Sequence, residues 1–106
     1  MKKRIAKLLG EFREGLERIY GVRLRGAYLY GSHSRGDADL ESDVDILVVL
    51  DDVEQYALEV ERTGELGAHL SLKYGVSVSQ VFVPERDWLH GETPFLASVR
   101  EEAIPA

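Results

Sequence analysis

Residues 42–50 read Ser42-Asp43-Val44-Asp45-Ile46-Leu47-Val48-Val49-Leu50. Apart from Asp45, the stretch from Val44 onward is entirely aliphatic, and the pair Asp51-Asp52 follows it. A strand that is apolar on both faces is typical of the interior of a sheet with helices packed on each side. The sequence therefore predicts a central strand over residues 44–50, which the two aspartates end.

The residues before this strand predict one helix and one further strand. Apolar side chains recur every three or four positions from Ile5 to Tyr20, which indicates an amphipathic helix that Gly21 can end. Residues 24–30 are rich in side chains that suit a strand, and they lead directly into Gly31. We therefore expect a helix and then a strand ahead of the central one.

After the central strand, a second helical pattern opens at Val53 and extends to Tyr74. Gly64 and Gly67 lie inside it, and each glycine weakens a helix by roughly 1 kcal/mol relative to alanine, so a kink or a break is expected there. Residues 76–83 then read as a third strand that ends before a proline.

The last part of the chain carries two shorter helix patterns. One begins at Pro84; the other has Thr93 as its N-cap and Pro94 at its first position. Leu89 lies on the apolar side of the first pattern. Trp88, Phe95, Leu96 and Val99 are expected to pack on the sheet or on a partner, and not to bind a cofactor. The predicted order is α-β-β-α-β-α, which is an α/β fold with a small mixed sheet flanked by helices, in a single domain over residues 1–106.

Two carboxylates stand at the start of the central strand. Side chains two positions apart on a strand point to the same face, so Asp43 and Asp45 should project together. Their mutual repulsion favours a bound cation, and Mg²⁺ fits because it takes one or two carboxylates and completes its coordination with water and phosphate oxygens. The simpler alternative is a pair of solvated residues at the fraying start of a strand.

A glycine-bounded polar turn, Gly31-Ser32-His33-Ser34-Arg35-Gly36, precedes the aspartates. Gly31 allows close approach of the backbone to a ligand, Ser32 offers a hydroxyl and an N–H, and Arg35 can contact a phosphate. The alternative is an ordinary strand-to-helix turn in which Arg35 neutralises Asp37 or Asp39. Turn and carboxylates together favour a nucleotide and metal site.

These two motifs resemble those of the minimal nucleotidyltransferase domains of the polymerase-beta-like nucleotidyltransferase superfamily. The resemblance extends from the first helix to about Val83. It implies that Gly31, Ser32 and Arg35 contact a nucleoside triphosphate such as ATP, and that Asp43 and Asp45 are catalytic and bind Mg²⁺, with two ions in the family and one or two here. The implied reaction is transfer of AMP or another nucleotidyl group to a hydroxyl.

The sequence departs from the family at a third carboxylate, which normally lies on the next strand. Ser79 or Gln80 stands in that place, and neither can serve as an anionic ligand or as a base near neutral pH. Glu85 and Asp87 follow shortly afterwards and could substitute for it. Whether catalysis survives this change is open.

The three histidines give only weak indications of a functional role. His33 could contact a phosphate, but an exposed turn residue is the simpler interpretation. His69 and His90 have no cluster around them and are assigned to no metal.

The resemblance also implies a partner, because minimal domains of this family are commonly paired with a helical HEPN-type toxin that they neutralise by AMP transfer to a tyrosine. The first hypothesis is accordingly an antitoxin enzyme that modifies a partner protein. The second is a binding module with a weak or inactive site that inhibits its partner by contact. A nucleotide-binding sensor is a third, weaker hypothesis.

The composition limits the class of protein, its compartment and its partners. The chain has 106 residues, no cysteine and a net charge of -6, with 44% hydrophobic residues. These values predict a globular protein without disulfides or thiolate metal sites, in a reducing compartment, and we expect it in the cytoplasm. The negative charge disfavours nucleic acid as a partner. The charged amphipathic start argues against a signal peptide, and no membrane association is expected. A homo- or hetero-oligomer is compatible with so small a domain.

Overall fold

The computed structural model describes residues 2–39 and 41–106, which form a four-stranded sheet with helices on both faces. The elements in chain order are α1 (Lys3–Tyr20), a 3-10 turn (Gly21–Arg23), β1 (Leu24–Tyr30), α2 (Ser32–Arg35), β2 (Val44–Leu50), α3 (Tyr56–Tyr74), β3 (Val78–Pro84), α4 (Glu85–His90), α5 (Pro94–Glu102) and β4 (Ile104–Pro105).

The strand order is β3-β2-β1-β4, so β2 lies inside the sheet as its aliphatic sequence predicts. β1 pairs antiparallel with β2 and with β4, whereas β2 and β3 are parallel and are connected through α3. The connection between β1 and β2 contains the Gly31-Ser32 turn and the short helix α2. This places the turn beside the first residues of β2.

Alternate residues of β2 contribute to two separate hydrophobic cores. Val44, Ile46, Val48 and Leu50 pack in the larger core, which includes the apolar face of α1 and Leu70 of α3. Leu47 and Val49 face the other way, onto Val99 of α5. The prediction that both faces of β2 are covered is confirmed. Asp45 shares the face of Leu47, on the side of α5.

α3 differs from its predicted form in two respects. It begins at Tyr56 rather than Val53, because the Val53 N–H donates to the Asp52 carboxylate at 2.8 Å in a turn ahead of the helix. The expected break is absent, and the helix runs through both Gly64 and Gly67. Gly67 is buried against Gln80, and a Cβ there would lie 3.0 Å from the Gln80 amide nitrogen. Packing onto β3 thus outweighs the weak helical preference of glycine.

The other boundaries lie close to those predicted. α1 ends at Tyr20, directly before Gly21, and β1 covers residues 24–30. The Thr93 hydroxyl caps α5 by accepting the Leu96 N–H at 3.2 Å. β3 begins at Val78 and includes Pro84, which an edge strand tolerates. The sequence did not predict β4, which has only two residues. None of the described helices is both long enough and apolar enough to cross a membrane.

Candidate nucleotide and metal site

Gly31 brings the end of β1 directly against Asp45. Its backbone has φ 77° and ψ −157°, a conformation that is essentially restricted to glycine. A Cβ at this position would collide with the carboxylate of Asp45. The turn and the aspartate therefore lie next to each other.

Asp45 and Asp43 form a pair of negative charges. Burial raises the pKa of Asp45, and the neighbouring carboxylate of Asp43 raises it further. Tyr30 lies opposite Asp45 in the antiparallel pair, and its pKa is raised to about 12, first by burial and then by Asp45. Within residues 2–39 and 41–106, neither aspartate forms an ion pair with a basic side chain.

This donor set fits a divalent cation. Two neighbouring carboxylates that lack basic partners, one of them partly buried, gain most from a metal ion that relieves their repulsion. The described residues contain no group of three or more His, Asp and Glu side chains arranged around one metal position. A cation held here would complete its coordination with water or phosphate oxygens, as Mg²⁺ commonly does.

His33 is buried, so the expectation of an exposed turn residue is wrong. Its Nε2 lies 3.1 Å from the carbonyl oxygen of Ser42, immediately before Asp43. The imidazole thereby connects α2 to the segment that carries the aspartates. The Gly-Ser turn pattern gave no signal of this hydrogen bond, because its partner is a backbone atom.

Arg35 and Ser32 lie on α2, beside Gly31. The Arg35 guanidinium pairs with Asp37 at 3.2 Å, which is the simpler alternative considered for this residue, and with Glu102 at 3.0 Å. Asp39 instead accepts the Glu41 N–H at 2.8 Å and the Ser42 hydroxyl at 3.2 Å. The second carboxylate oxygen of Glu102 accepts the Gly31 N–H at 2.9 Å. The sequence reasoning missed Glu102, which lies 71 residues from Gly31 along the chain.

A cavity of about 450 Å³ borders the turn on the side of α2. Its walls include the cationic side chains of Lys2 and Arg35, and the full lining is Lys2, His33, Ser34, Arg35, Gly36, Ala38 and Ile104. Its size and charge suit part of an anionic ligand.

Ser79, and not Gln80, lies on the sheet face of Asp45. In the parallel register Asp45 pairs with Ser79, and Gln80 pairs with Ile46 on the opposite face. Gln80 accordingly packs against Gly67 of α3, and its side-chain oxygen is buried without a hydrogen-bond partner among the described residues. Ser79 is exposed. The two residues left open by the sequence are thus distinguished by the face on which they lie.

The proposed substitutes do not reach this position. β3 pairs Ser79 with Asp45 at one end of the sheet and Pro84 with Leu50 at the other. Glu85 follows Pro84 and pairs with Arg25 at 3.3 Å, while Asp87 lies farther along α4. The expectation that Glu85 or Asp87 could complete the acidic group is wrong, because both follow the end of β3 that lies opposite Ser79.

Comparison with known proteins agrees with this geometry. A model of the nucleotidyltransferase domain matches residues 9–104. Two relatives from Methanocaldococcus jannaschii are each named a putative protein adenylyltransferase. One is 37% identical over 79 residues, which is 74% of this chain and 73% of the relative. The other is 31% identical over 77 residues, which is 73% and 77% of the two chains.

Solved structures share the fold. A structure of a putative minimal nucleotidyltransferase superposes with a TM-score of 0.62 at 27% identity and covers 96% of this chain and 92% of that one. A chain from a crystal structure of a toxin–antitoxin with AMP-PNP gives a TM-score of 0.67 at 22% identity, covering 92% and 70%. The resemblance found in the sequence is confirmed: this chain belongs to the nucleotidyltransferase domain family and has the polymerase-beta-like minimal nucleotidyltransferase fold.

Proposed function

We propose that this chain transfers AMP, or another nucleoside monophosphate, from a nucleoside triphosphate to a hydroxyl on a partner protein. The observation that supports the proposal is the close approach of Gly31 to Asp45, which places a glycine-bounded polar turn beside a pair of carboxylates. The names of the Methanocaldococcus relatives support a protein acceptor. In this transfer a hydroxyl oxygen bonds to the α-phosphorus, and the bond to the departing pyrophosphate breaks.

Each residue of the candidate site would have its own role in this transfer. Gly31 and Ser32 would hold the phosphates, and Arg35 would offset their charge. Asp43 and Asp45 would hold Mg²⁺, which would supply charge neutralisation at the reacting phosphate and activation of the attacking hydroxyl. Ser79 cannot receive the proton of that hydroxyl as a carboxylate could, so a slow transfer is expected.

The partner we propose is a toxin, with this chain as its antitoxin. Chains from toxin–antitoxin structures share the fold, including one with AMP-PNP. The family resemblance narrows the toxin to a small helical protein of the HEPN type. We propose the cytoplasm as the site of action, with Mg²⁺ and ATP as cofactor and donor, and a single domain over residues 1–106 as the functional unit.

A second candidate function is inhibition of the partner by contact alone. Ser79, exposed beside Asp45 in place of an acid, favours it, since a site that lacks one carboxylate can bind without turning over. The two candidates differ in whether inhibition requires Asp43 and Asp45.

The deciding experiment is calorimetric titration of ATP with Mg²⁺ into the wild-type chain and into Asp43→Asn/Asp45→Asn. We expect binding in the wild type and a loss of at least about tenfold in affinity in the double variant, because the cation would lose both charged ligands. Asp87→Asn is the matched control, since Asp87 is an exposed aspartate away from the site, and it should bind like the wild type.

Transfer is then measured as incorporation of label from α-labelled ATP into a co-purified partner. Absence of ATP binding to the wild-type chain would reject the enzyme proposal for the isolated protein. Inhibition of the partner that survives unchanged in the double variant would favour contact alone.

A further inference from the structure

Glu102 contacts the part of the candidate site that carries Gly31 and Arg35. It is the last residue of α5, and α5 packs through Val99 onto the sheet face that also presents Asp45. One carboxylate oxygen of Glu102 accepts the Gly31 N–H at 2.9 Å, and the other accepts from the Arg35 guanidinium at 3.0 Å. Two anionic oxygens thus contact the two donors to which the proposed function assigns a phosphate.

A carboxylate and a phosphate can bind to the same hydrogen-bond donors. Both offer paired anionic oxygens to a backbone N–H and to the planar guanidinium of arginine, through charge-assisted hydrogen bonds. Gly31 has one N–H, which cannot donate to a phosphate and to Glu102 at the same time. Glu102 also occupies one guanidinium nitrogen of Arg35, while Asp37 pairs with another. The charges of Glu102 and the phosphate would also repel each other, as Glu102 already repels Asp45.

The position of Glu102 allows its side chain to leave without disturbing the fold. α5 ends at this residue, and its carboxylate-bearing side chain is 21% exposed. The helix is held independently by the Thr93 cap at its start, and the following residues pair with β1 through β4. Rotation about the side-chain bonds of Glu102 is therefore enough to free Gly31 and Arg35.

We propose that Glu102 is an internal occupant of the phosphate position, and that a nucleoside triphosphate binds only when this side chain has turned away. The inference rests on the proposed function, which places the triphosphate at the Gly31-Ser32 turn. The Gly31 N–H and the Arg35 guanidinium would then donate hydrogen bonds to the phosphate. The apparent affinity for the triphosphate is reduced by the fraction of molecules in which Glu102 is bound.

The test is calorimetric titration of Mg²⁺-ATP into Glu102→Gln and Glu102→Ala, after thermal unfolding has established that both variants fold. Removal of the competing charge should tighten ATP binding by about tenfold. Glu101→Gln is the matched control, since it removes the same charge from the neighbouring, exposed residue and should leave the affinity unchanged. Tripolyphosphate should gain affinity as ATP does, whereas adenosine, which has no phosphate, should gain none.

Each result bears on the inference. Equal ATP affinity in the wild type and both Glu102 variants would reject it while leaving the proposed function intact. Weaker binding in the variants would also reject it, because Glu102 would then support the turn and Arg35 and not compete with a phosphate for them. A gain that extends to adenosine, or that Glu101→Gln reproduces, would overturn it as well. ATP binding to none of the proteins would count against both the inference and the proposed function.

Discussion

At the scale of single residues, the site depends on a glycine that has two independent constraints. Gly31 has a backbone conformation that other residues avoid, and its α-carbon faces the carboxylate of Asp45 at a separation that leaves no room for a methyl group. The first constraint is conformational and the second is steric. Because they act together, Gly31 should be the least replaceable residue of the turn.

We expect Gly31→Ala to lower the free energy of unfolding by about 2–3 kcal/mol, from strained backbone and displacement of Asp45. It should also abolish ATP binding. Gly75→Ala is the control, because Gly75 likewise has positive φ, 64°, but open space around its α-carbon. That variant should lose only about 1 kcal/mol and bind ATP normally. Chemical denaturation and calorimetry measure both effects, and equal losses in the two variants would contradict the steric part of the argument.

The sequence predicted the proximity of residues that lie close together along the chain. Gly31 and Asp45 are brought together as expected, since a turn and the start of the following strand are near in sequence. His33 and Glu102 were missed for different physical reasons. His33 bonds to a backbone carbonyl, which leaves no trace in residue identity, and Glu102 reaches the turn only through the tertiary packing of α5.

At the scale of elements, the register between β2 and β3 determines which residue of β3 lies beside Asp45. The parallel pairing sets Ser79 beside Asp45 on the same face, at the end of the sheet where the aspartates lie. Strand register is fixed by the hydrophobic pattern, because a slip by one residue would expose every buried side chain. A side chain placed at position 79 is therefore directed to the acidic pair.

We expect Ser79→Asp to restore a third carboxylate and to tighten Mg²⁺ binding by roughly tenfold, because affinity for hard cations rises with the number of charged ligands. Without Mg²⁺ the variant should be slightly less stable than the wild type, owing to added repulsion. Ser98→Asp adds the same charge at an exposed position on α5 and should change neither property. Titration with Mg²⁺ and thermal unfolding test this, and unchanged Mg²⁺ affinity in Ser79→Asp would refute it.

The elements themselves were largely predictable, because hydrophobic periodicity reports how a segment packs. α1, β1 and β2 match their patterns closely. The predicted break in α3 failed since the penalty at Gly67 is a local preference, whereas its close contact with Gln80 is a tertiary gain. β4 could not be predicted, because two residues carry no period.

At the scale of the whole molecule, the buried carboxylate of Glu59 forms hydrogen bonds that connect α3 to the end of α1 and to the turn that follows it, away from the site. Glu59 of α3 accepts hydrogen bonds from Tyr20 at 3.1 Å, from Arg23 at 2.9 Å and from Arg62 at 2.9 Å. Arg23 also pairs with Asp51 just beyond β2. Burial alone would raise the pKa of Glu59, but these hydrogen bonds outweigh it and hold the pKa below its usual value of 4.5.

A carboxylate with a lowered pKa stabilises the fold above the pKa it has in the unfolded chain, and this contribution disappears as the pH falls through the lowered value. We expect Glu59→Gln to cost about 2 kcal/mol at pH 7, since it removes a charge on which two partly exposed arginines converge. The deficit should persist down to about pH 5 and shrink below the usual Glu59 pKa of 4.5. Urea unfolding at a series of pH values measures it.

Glu61→Gln is the control, because Glu61 is exposed on the same helix and should be nearly neutral at every pH. A Glu59→Gln deficit that does not vary between pH 7 and pH 3 would show that packing, and not charge, explains the loss.

The connectivity of the sheet also has a kinetic consequence. The antiparallel pair of β1 and β2 is closed by residues 31–43, whereas the parallel pair of β2 and β3 must wait for the crossover of residues 51–77. Shorter closures cost less entropy and form sooner, so Gly31 and Asp45 should meet early during folding. Glu102, on the last helix, would arrive only after that encounter. The nascent chain would thus pass through a stage in which the Gly31-Ser32 turn is assembled before Glu102 accepts the Gly31 N–H.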